Sequence, residues 1–480
     1  MNVLFAVWEC DPLIKVGGLG DVARSLPAAL RNLGVDIRIV LPFYKAMRLG
    51  KMRKKKIGEC SLIYDGKKEK VEVIEIEHPT SQIPAYLLSN KKYLNTADHP
   101  DTFAFFDKAI IKIISDKILS WMPDIIHCND LHTGLIPLMV RENNVAVKTV
   151  LTIHNLSYQG KASVEVLQKL KLDQTRCRLE KWEITNRQLN FLMEGIVHAD
   201  VVTTVSPTYA KEIMTEEFGC GLEEVLRGKE GRVFGILNGI DNSWRGSAHT
   251  KYVKYPFTSQ EQAFLQANQP KLYPWEEGKK RNKLFLQRKL KLKVNSSIPM
   301  FSFIGRIDPN QKGIDILHKM VRKANLTEYE LVILGTGDVG WEERLQWLDR
   351  FYPDNVSCNF KFDEELANQI YAASDFILVP SKYEPCGLIK MIAMFYGTLP
   401  IAHKTGGLID SIKDKVNGFI FDKYTSESLE QTVMRALDMW HHDKPRYRKM
   451  VEAAMSTDFS WEKSAREYID LYTKLVNNTI

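Results

Sequence analysis

Short apolar runs alternate with amphipathic stretches along nearly the whole chain. Val3 to Trp8 reads as a buried strand followed by a helical pattern from Val22 to Leu33. Further strand runs cover Asp36 to Leu41, Asp124 to Cys128, Thr149 to Ile153 and Val201 to Val205, the last leading into a helix from Pro207 to Met214. Continuous apolar strands separated by helical periods predict a parallel sheet with helices on both faces. A second series opens near Pro299 with M-F-S-F-I-G and continues through Leu331 to Gly335, Phe376 to Pro380 and Leu399 to Ala402. Between the two series, a polar, aromatic-bearing stretch over 242–295 has weak strand signal and reads as a connection with some helix. The pattern predicts an α/β chain with two doubly wound, Rossmann-like domains.

In open parallel sheets, ligands bind beyond the carboxyl ends of the strands. Three polar segments sit there: K-V-G-G-L-G-D from Lys15 to Asp21, G-R-I-D-P-N-Q-K-G from Gly305 to Gly313, and S-K-Y-E-P-C-G-L from Ser381 to Leu388. The first two combine glycines, which let backbone approach a ligand, with the cations Lys15, Arg306 and Lys312. Such a pair of half-sites suits a diphosphate. Preorganised cations of this kind lower the barrier to departure of a charged leaving group by about 3 kcal/mol each in a closed site. No D-x-D motif is present to bind a bridging metal, so the side chains are expected to stand in for one.

Composition sharpens this picture only modestly. At 480 residues the chain exceeds the size at which one core keeps growing, and its 44% hydrophobic and 26% charged content is that of a globular protein. The seven cysteines are scattered without a C-x-x-C pair, which indicates neither a disulfide framework nor a structural zinc site and fits a reducing cytoplasm. The opening V-L-F-A-V-W, then Glu9 and Asp11, has no secretory pattern, and no run is long enough to span a membrane. Cytoplasmic localisation without a membrane partner is expected. The net charge of +7 comes with lysine clusters at Lys51 to Lys56 and Lys279 to Lys293, expected to be solvated faces because no nucleic-acid motif accompanies them.

Gly18, Gly20 and Ala23 satisfy G-x-G-x-x-A, but the glycines begin well after the strand and the next strand ends in Pro42, Phe43 and Tyr44 without an acid for a ribose. A nicotinamide dehydrogenase is therefore disfavoured. Glu384 on a strand-to-helix turn either caps the helix or meets sugar hydroxyls and an oxocarbenium-like centre. T-G-G-L from Thr405 offers amides to phosphate, and His154 stands at the carboxyl end of a strand. His127, Cys128, Asp130 and His132 lie close in sequence but lack a remote ligand set, so no metal is assigned; Asp130 and His132 are expected to line a cleft.

With these residues in view, the chain resembles the bacterial-type glycogen synthase and starch synthase family of retaining GT-B glycosyltransferases. Besides the segments above, the resemblance rests on H-P-D-T-F-A-F-F at His99, H-C-N-D-L-H-T-G-L at His127, H-N-L-S-Y-Q-G at His154, A-D-V-V-T-T-V-S-P at Ala199, E-F-G-C-G-L at Glu217, I-L-N-G-I-D at Ile236, Y-G-T-L-P at Tyr396 and D-F-S-W-E-K-S-A at Asp458. It implies two Rossmann-like domains facing across a deep cleft, at 1–243 and 244–457, with a final helix in 458–480 crossing back to the first. It implies a hexosyltransferase that moves glucose from ADP-glucose, or UDP-glucose, to the non-reducing end of an α-1,4-glucan, without cofactor or metal. Related transfer to another acceptor and glucan binding without catalysis are the alternatives.

By motif, the resemblance makes Lys15, Arg306 and Lys312 the diphosphate cations. It gives Gly18, Asp21, Asn238, Cys386, Gly387, Leu388, Thr405, Gly406 and Gly407 to the donor. His154 and Glu384 flank the transferred glucose, while Asp130, His132 and Tyr158 are assigned to the acceptor side. The chain departs from the family pattern at Ile389-Lys390, where Thr-Gln is usual, at Asn129 to His132 in place of His-Asp-Trp-His, at Thr185 to Gln188, and by one extra residue between Arg306 and Lys312. The first departure bears on the choice of nucleotide and the middle two on the acceptor.

Overall fold

The computed structural model describes residues 1–50, 52–95, 99–173, 177, 187–241, 244, 251–258, 272–323 and 328–480. Lys51, Thr185, Asn186 and much of the expected connection over 242–295 lie outside them. The chain divides into two compact units, Met1–Gly239 with Trp461–Ile480, and Ile240–Ser460.

The strands of the first unit are β1 (Asn2–Ala6), β2 (Asp36–Pro42), β3 (Lys55–Tyr64), β4 (Lys67–Glu77), β5 (Pro84–Ser89), β6 (Ile125–Asn129), β7 (Lys148–Ile153), β8 (Lys161–Ser163), β9 (Gln188–Asn190), β10 (Val201–Thr204) and β11 (Val233–Gly235). Nine form one sheet in the order β11-β10-β7-β6-β1-β2-β5-β4-β3, and β8 pairs with β9 separately. From β11 to β5 every pairing is parallel, whereas β4 runs antiparallel to both β5 and β3. The chain order reverses between β1 and β6, so the loops leaving these strands diverge above a switch point.

Val3, Leu4, Phe5 and Ala6 of β1 are wholly buried because helices cover both faces of the sheet. On one face lie the helices Gly18–Asn32 and Trp461–Val476, whose Leu26, Leu30, Tyr468 and Tyr472 share a core with Val3 and Phe5. The helix Pro100–Ser115 contributes Phe105, Phe106 and Ile110 to the other face. Each such side chain stabilises the unit by about 1.5–3 kcal/mol relative to exposure. The C-terminal helix is also tied by polar contacts: His127 bridges Tyr472 Oη and Thr152 Oγ1, each at 2.6 Å.

In the second unit, β12 (Phe257–Thr258) pairs with β13 (Tyr273–Pro274). The main sheet contains β14 (Met300–Ile304), β15 (Glu330–Leu334), β16 (Val356–Asn359), β17 (Phe376–Val379), β18 (Leu399–His403) and β19 (Phe419–Phe421). All are parallel, in the order β16-β15-β14-β17-β18-β19. This is the doubly wound order with its switch point between β14 and β17.

The expectation of a solvated lysine face over 279–293 is corrected in part. On the helix Trp275–Leu290, Lys279 is 4% and Lys283 3% exposed. Lys279 Nζ donates to Tyr396 O at 2.9 Å and Thr398 Oγ1 at 2.8 Å, and Lys283 pairs with Asp375. Their turn of the helix faces the sheet, and carbonyls or a carboxylate at the tips make burial tolerable.

Candidate active site

In the first unit, the glycine-rich loop after β1 is shaped by Glu9. This carboxylate is 2% exposed and accepts the Val16 amide and, at 2.9 Å, the Gly17 amide. Burial raises its pKa, against the lowering effect of these amides. A Cβ on Gly20 would lie 3.2 Å from both Glu9 Oε2 and Lys15 Cγ, so the loop wraps closely around that carboxylate. Lys15 is exposed, its ammonium 2.7 Å from Asp21 Oδ1 on the first turn of Gly18–Asn32. Gly18 is likewise exposed at that helix start.

Across the switch point, Asp130 follows β6 at φ 55° and ψ −169°, a region almost restricted to glycine and costing on the order of 1–3 kcal/mol. Its Oδ1 accepts the His154 amide at 2.7 Å. Burial pushes its carboxyl up to about 7, with the His154 and Asn155 amides pulling the other way. His154 donates from Nε2 to Asn129 Oδ1 at 2.9 Å, and Asn129 donates in turn to Ala6 O at 3.0 Å. The bond fixes the imidazole as the neutral tautomer with its lone pair on Nδ1, and burial lowers its pKa to about 3. His132 stacks on Trp8 with centroids 4.3 Å apart. The four residues weighed as a metal cluster thus diverge, His127 toward Tyr472 and Asp130 toward the β7 loop.

Asn238 is 5% exposed, with no protein partner for Oδ1. Tyr158 is 53% exposed beside the turn where Gln159 Nε2 donates to Cys220 O at 2.9 Å.

In the second unit, the loops after β14 and β17 meet directly. Lys312 Nζ donates to Glu384 Oε2 at 2.7 Å, and Ser381 Oγ donates to the same oxygen at 2.8 Å. Burial works to raise the Glu384 carboxyl, but the Lys312 ammonium, the Ser381 hydroxyl and Lys390 outweigh it and hold the pKa below its ordinary value. Glu384 is therefore an anion in a buried position, not a solvent-facing helix cap. Gly313, at φ 71°, permits the contact: a Cβ there would sit 2.0 Å from Pro380 O. Arg306 is exposed, bonded to Gln311 and 3.6 Å from Asp308 Oδ2.

The T-G-G-L segment packs backbone to backbone on the same turn. Gly407 donates its amide to Glu384 O at 3.0 Å, and a Cβ on it would lie 2.7 Å from Cys386 Cα. That amide is thus committed to the turn and not offered to phosphate. Thr405 and Gly406 are buried beneath it, as is Cys386. Gly387, at φ 79°, caps the helix Leu388–Phe395.

Sequence reasoning missed Glu9, although a carboxylate between a strand and a glycine loop was there to be noticed. It also missed Asn129 and Ser381, which hold His154 and Glu384 in place; on the loop after β16, Phe362 is 94% exposed. Among the described residues, no helix is long and apolar enough to cross a membrane.

Comparisons with known proteins give a consistent answer. Residues 2–228 match the family model of the starch synthase catalytic domain, and residues 287–457 that of glycosyl transferases group 1. The chain is 39% identical to the glycogen synthase of Thermotoga petrophila over 99% of both chains, and 38% identical to that of Lactococcus lactis over 99% of this chain and all of the other. Among solved structures, the catalytic domain of starch synthase IV from Arabidopsis thaliana, determined with ADP and acarbose, superimposes with a TM-score of 0.85 at 30% identity, covering 99% of each chain. A sucrose-phosphate synthase from Thermosynechococcus elongatus, at 19% identity and a TM-score of 0.60, shares the fold. Two Rossmann-like units, ordered site motifs and full-length identity of this kind establish that the chain belongs to the glycogen synthase family of GT-B glycosyltransferases.

Proposed function

We propose that this enzyme transfers glucose from ADP-glucose, or UDP-glucose, to the non-reducing end of an α-1,4-glucan with retention of configuration. The observation that carries the reading is the Lys312–Glu384 pair at the switch point of the second unit, where a half-buried cation and a buried carboxylate stand side by side. The Arabidopsis relative solved with ADP and acarbose supports a nucleotide and a glucan-like oligosaccharide as the ligand classes.

Each residue then has a task. Lys312 and Arg306 stabilise the diphosphate as the bond from the glucosyl carbon to its oxygen breaks, and the resemblance gives Lys15 the same task. The acceptor hydroxyl adds to that carbon on the face the diphosphate leaves, and its proton passes to the departing phosphate oxygen. Glu384 orients glucose hydroxyls and offsets positive charge on the ring. His154, with its Nδ1 lone pair, accepts from a glucose hydroxyl. Asp130 keeps His154 in place through the backbone, while Asn238, Asp21, Gly18, Cys386, Gly387, Leu388, Thr405 and Gly406 shape the donor surface. His132 and Tyr158 serve the acceptor side. With side-chain cations in place of a bridging metal, the reaction needs no cofactor.

The test is elongation of maltooligosaccharides by purified protein, with ADP-glucose and UDP-glucose in parallel and chelator present. Elongation with ADP-glucose is the expected result. Absence of transfer from both donors overturns the proposal.

A further inference from the structure

Lys390 lies on the first turn of the helix Leu388–Phe395 and is wholly buried, a state lysine almost never adopts unless its ammonium is paired. Its Nζ folds back over the start of its own helix and donates to Cys386 O and, at 3.2 Å, to Gly387 O. A Cβ on Gly387 would lie 3.0 Å from Glu384 Cγ and 3.4 Å from Lys390 Nζ, so the ammonium and the Glu384 side chain flank one point. This cation sits at the helix end where the peptide dipole is already positive, an unfavourable place for it. The core behind it gives no reason for a charge, since Met391, Ala393 and Met394 are wholly buried and apolar. Burial lowers the Lys390 pKa; Cys386, Glu384 and Asp410 act to raise it, and Lys312 lowers it further.

We propose that Lys390 is a positioning residue of the donor site: it clamps the Glu384–Leu388 turn through two carbonyls and sets a fixed positive charge behind the diphosphate. The inference rests on the donor reading above and adds a residue to it.

The experiment is calorimetric titration of the full-length protein with ADP and with adenosine. Lys390→Gln is expected to weaken ADP about tenfold and raise the donor KM to match, with a smaller change in kcat and unchanged adenosine affinity. Lys390→Arg is expected to hold ADP within about threefold of the parent. Parent-like ADP affinity in Lys390→Gln overturns the inference. Should that variant fail to fold, equal affinity of the parent protein for ADP and adenosine overturns it equally. Lys312→Ala in parallel separates the two levels. If Lys312→Ala loses ADP and Lys390→Gln does not, only the role of Lys390 falls; if neither loses it, the donor reading falls with it.

Discussion

Lys312 and Glu384 share a single contact, 2.7 Å from Nζ to Oε2, across loops that leave the two central strands of the second unit. Lys312 is 72 residues before its partner in sequence, and Gly313 is what allows its loop to pass so close to Pro380. Lys312→Ala should lower kcat by about a hundredfold or more while leaving the fold intact, because its charge acts on the leaving group as the bond breaks. Initial rates with both nucleotide sugars, beside a circular-dichroism melt, check this. An unchanged rate removes Lys312 from the catalytic set.

The same pair makes stability depend on acid. Glu384 has a folded pKa below its ordinary 4.5, so its contribution is fully present above that pH and is lost as pH falls through the folded value. Without the ammonium, burial loses its largest opponent, with only weaker pulls such as the Ser381 hydroxyl and Lys390 remaining, and the carboxyl pKa rises. The loss of melting temperature down the acid range should therefore be smaller in Lys312→Ala than in the parent, because the raised folded value removes the proton difference between the folded and unfolded chains. Coincident curves would show that the pair does not hold the carboxylate.

Much of this arrangement was legible in the chain. The apolar runs that predicted β1, β6, β7, β10, β14, β15, β17 and β18 are strands buried on both faces, where composition alone signals a parallel sheet. The strands β3 and β4 were not read, because K-K-E-K-V-E-V-I-E-I-E alternates charge with apolar residues and one face meets water. The site motifs were found because glycines and charges after apolar strands are rare enough to notice. Which partner each charge takes was not readable: the spacing does not show that Gly407 spends its amide on Glu384 O, or that Lys279 turns inward. Those outcomes are set by which loops and helices pack together, over separations that no local pattern encodes.

Lys279 should make its own mark on stability at the alkaline side. Burial pushes its pKa down to about 7 from the ordinary 10.5. Between those limits the unfolded chain holds a proton that the folded chain has released, so stability rises with pH across that window. Lys279→Met removes this part of the slope and leaves Tyr396 O without its donor, at a cost of about 1–3 kcal/mol. Urea midpoints at about pH 7 and about pH 9.5 separate the two effects, since the desolvation cost appears at both and the slope only in the parent.

At Gly407 the backbone contact leaves no space for a side chain. A Cβ would meet Cys386 Cα and Cys386 O, both at 2.7 Å, and neither can swing away as a side chain could. Gly407→Ala should force the Thr405 segment off the Glu384 turn, destabilising the protein by about 1–3 kcal/mol and raising the donor KM. A variant that melts like the parent and keeps its KM would show that the two segments are free to separate.

Phe362 gives the most direct probe of where the nucleotide base goes. It follows β16, the edge strand that β15 and β14 separate from the switch point of the sheet, and at 94% exposure its ring packs on almost nothing in the protein. A large apolar ring so exposed gains nothing for folding, but both of its faces are open to a planar ligand. Stacking of a base on such a ring is worth about 1–3 kcal/mol, which corresponds to roughly a tenfold to hundredfold change in affinity. Phe362→Ala is therefore expected to raise the KM for the nucleotide sugar by that factor, with kcat and melting temperature almost unchanged. Phe362→Tyr should behave as the parent. The decisive comparison is between ADP and inorganic pyrophosphate as inhibitors: loss of the ring should weaken ADP and leave pyrophosphate unaffected, and equal weakening of both would place Phe362 away from the base.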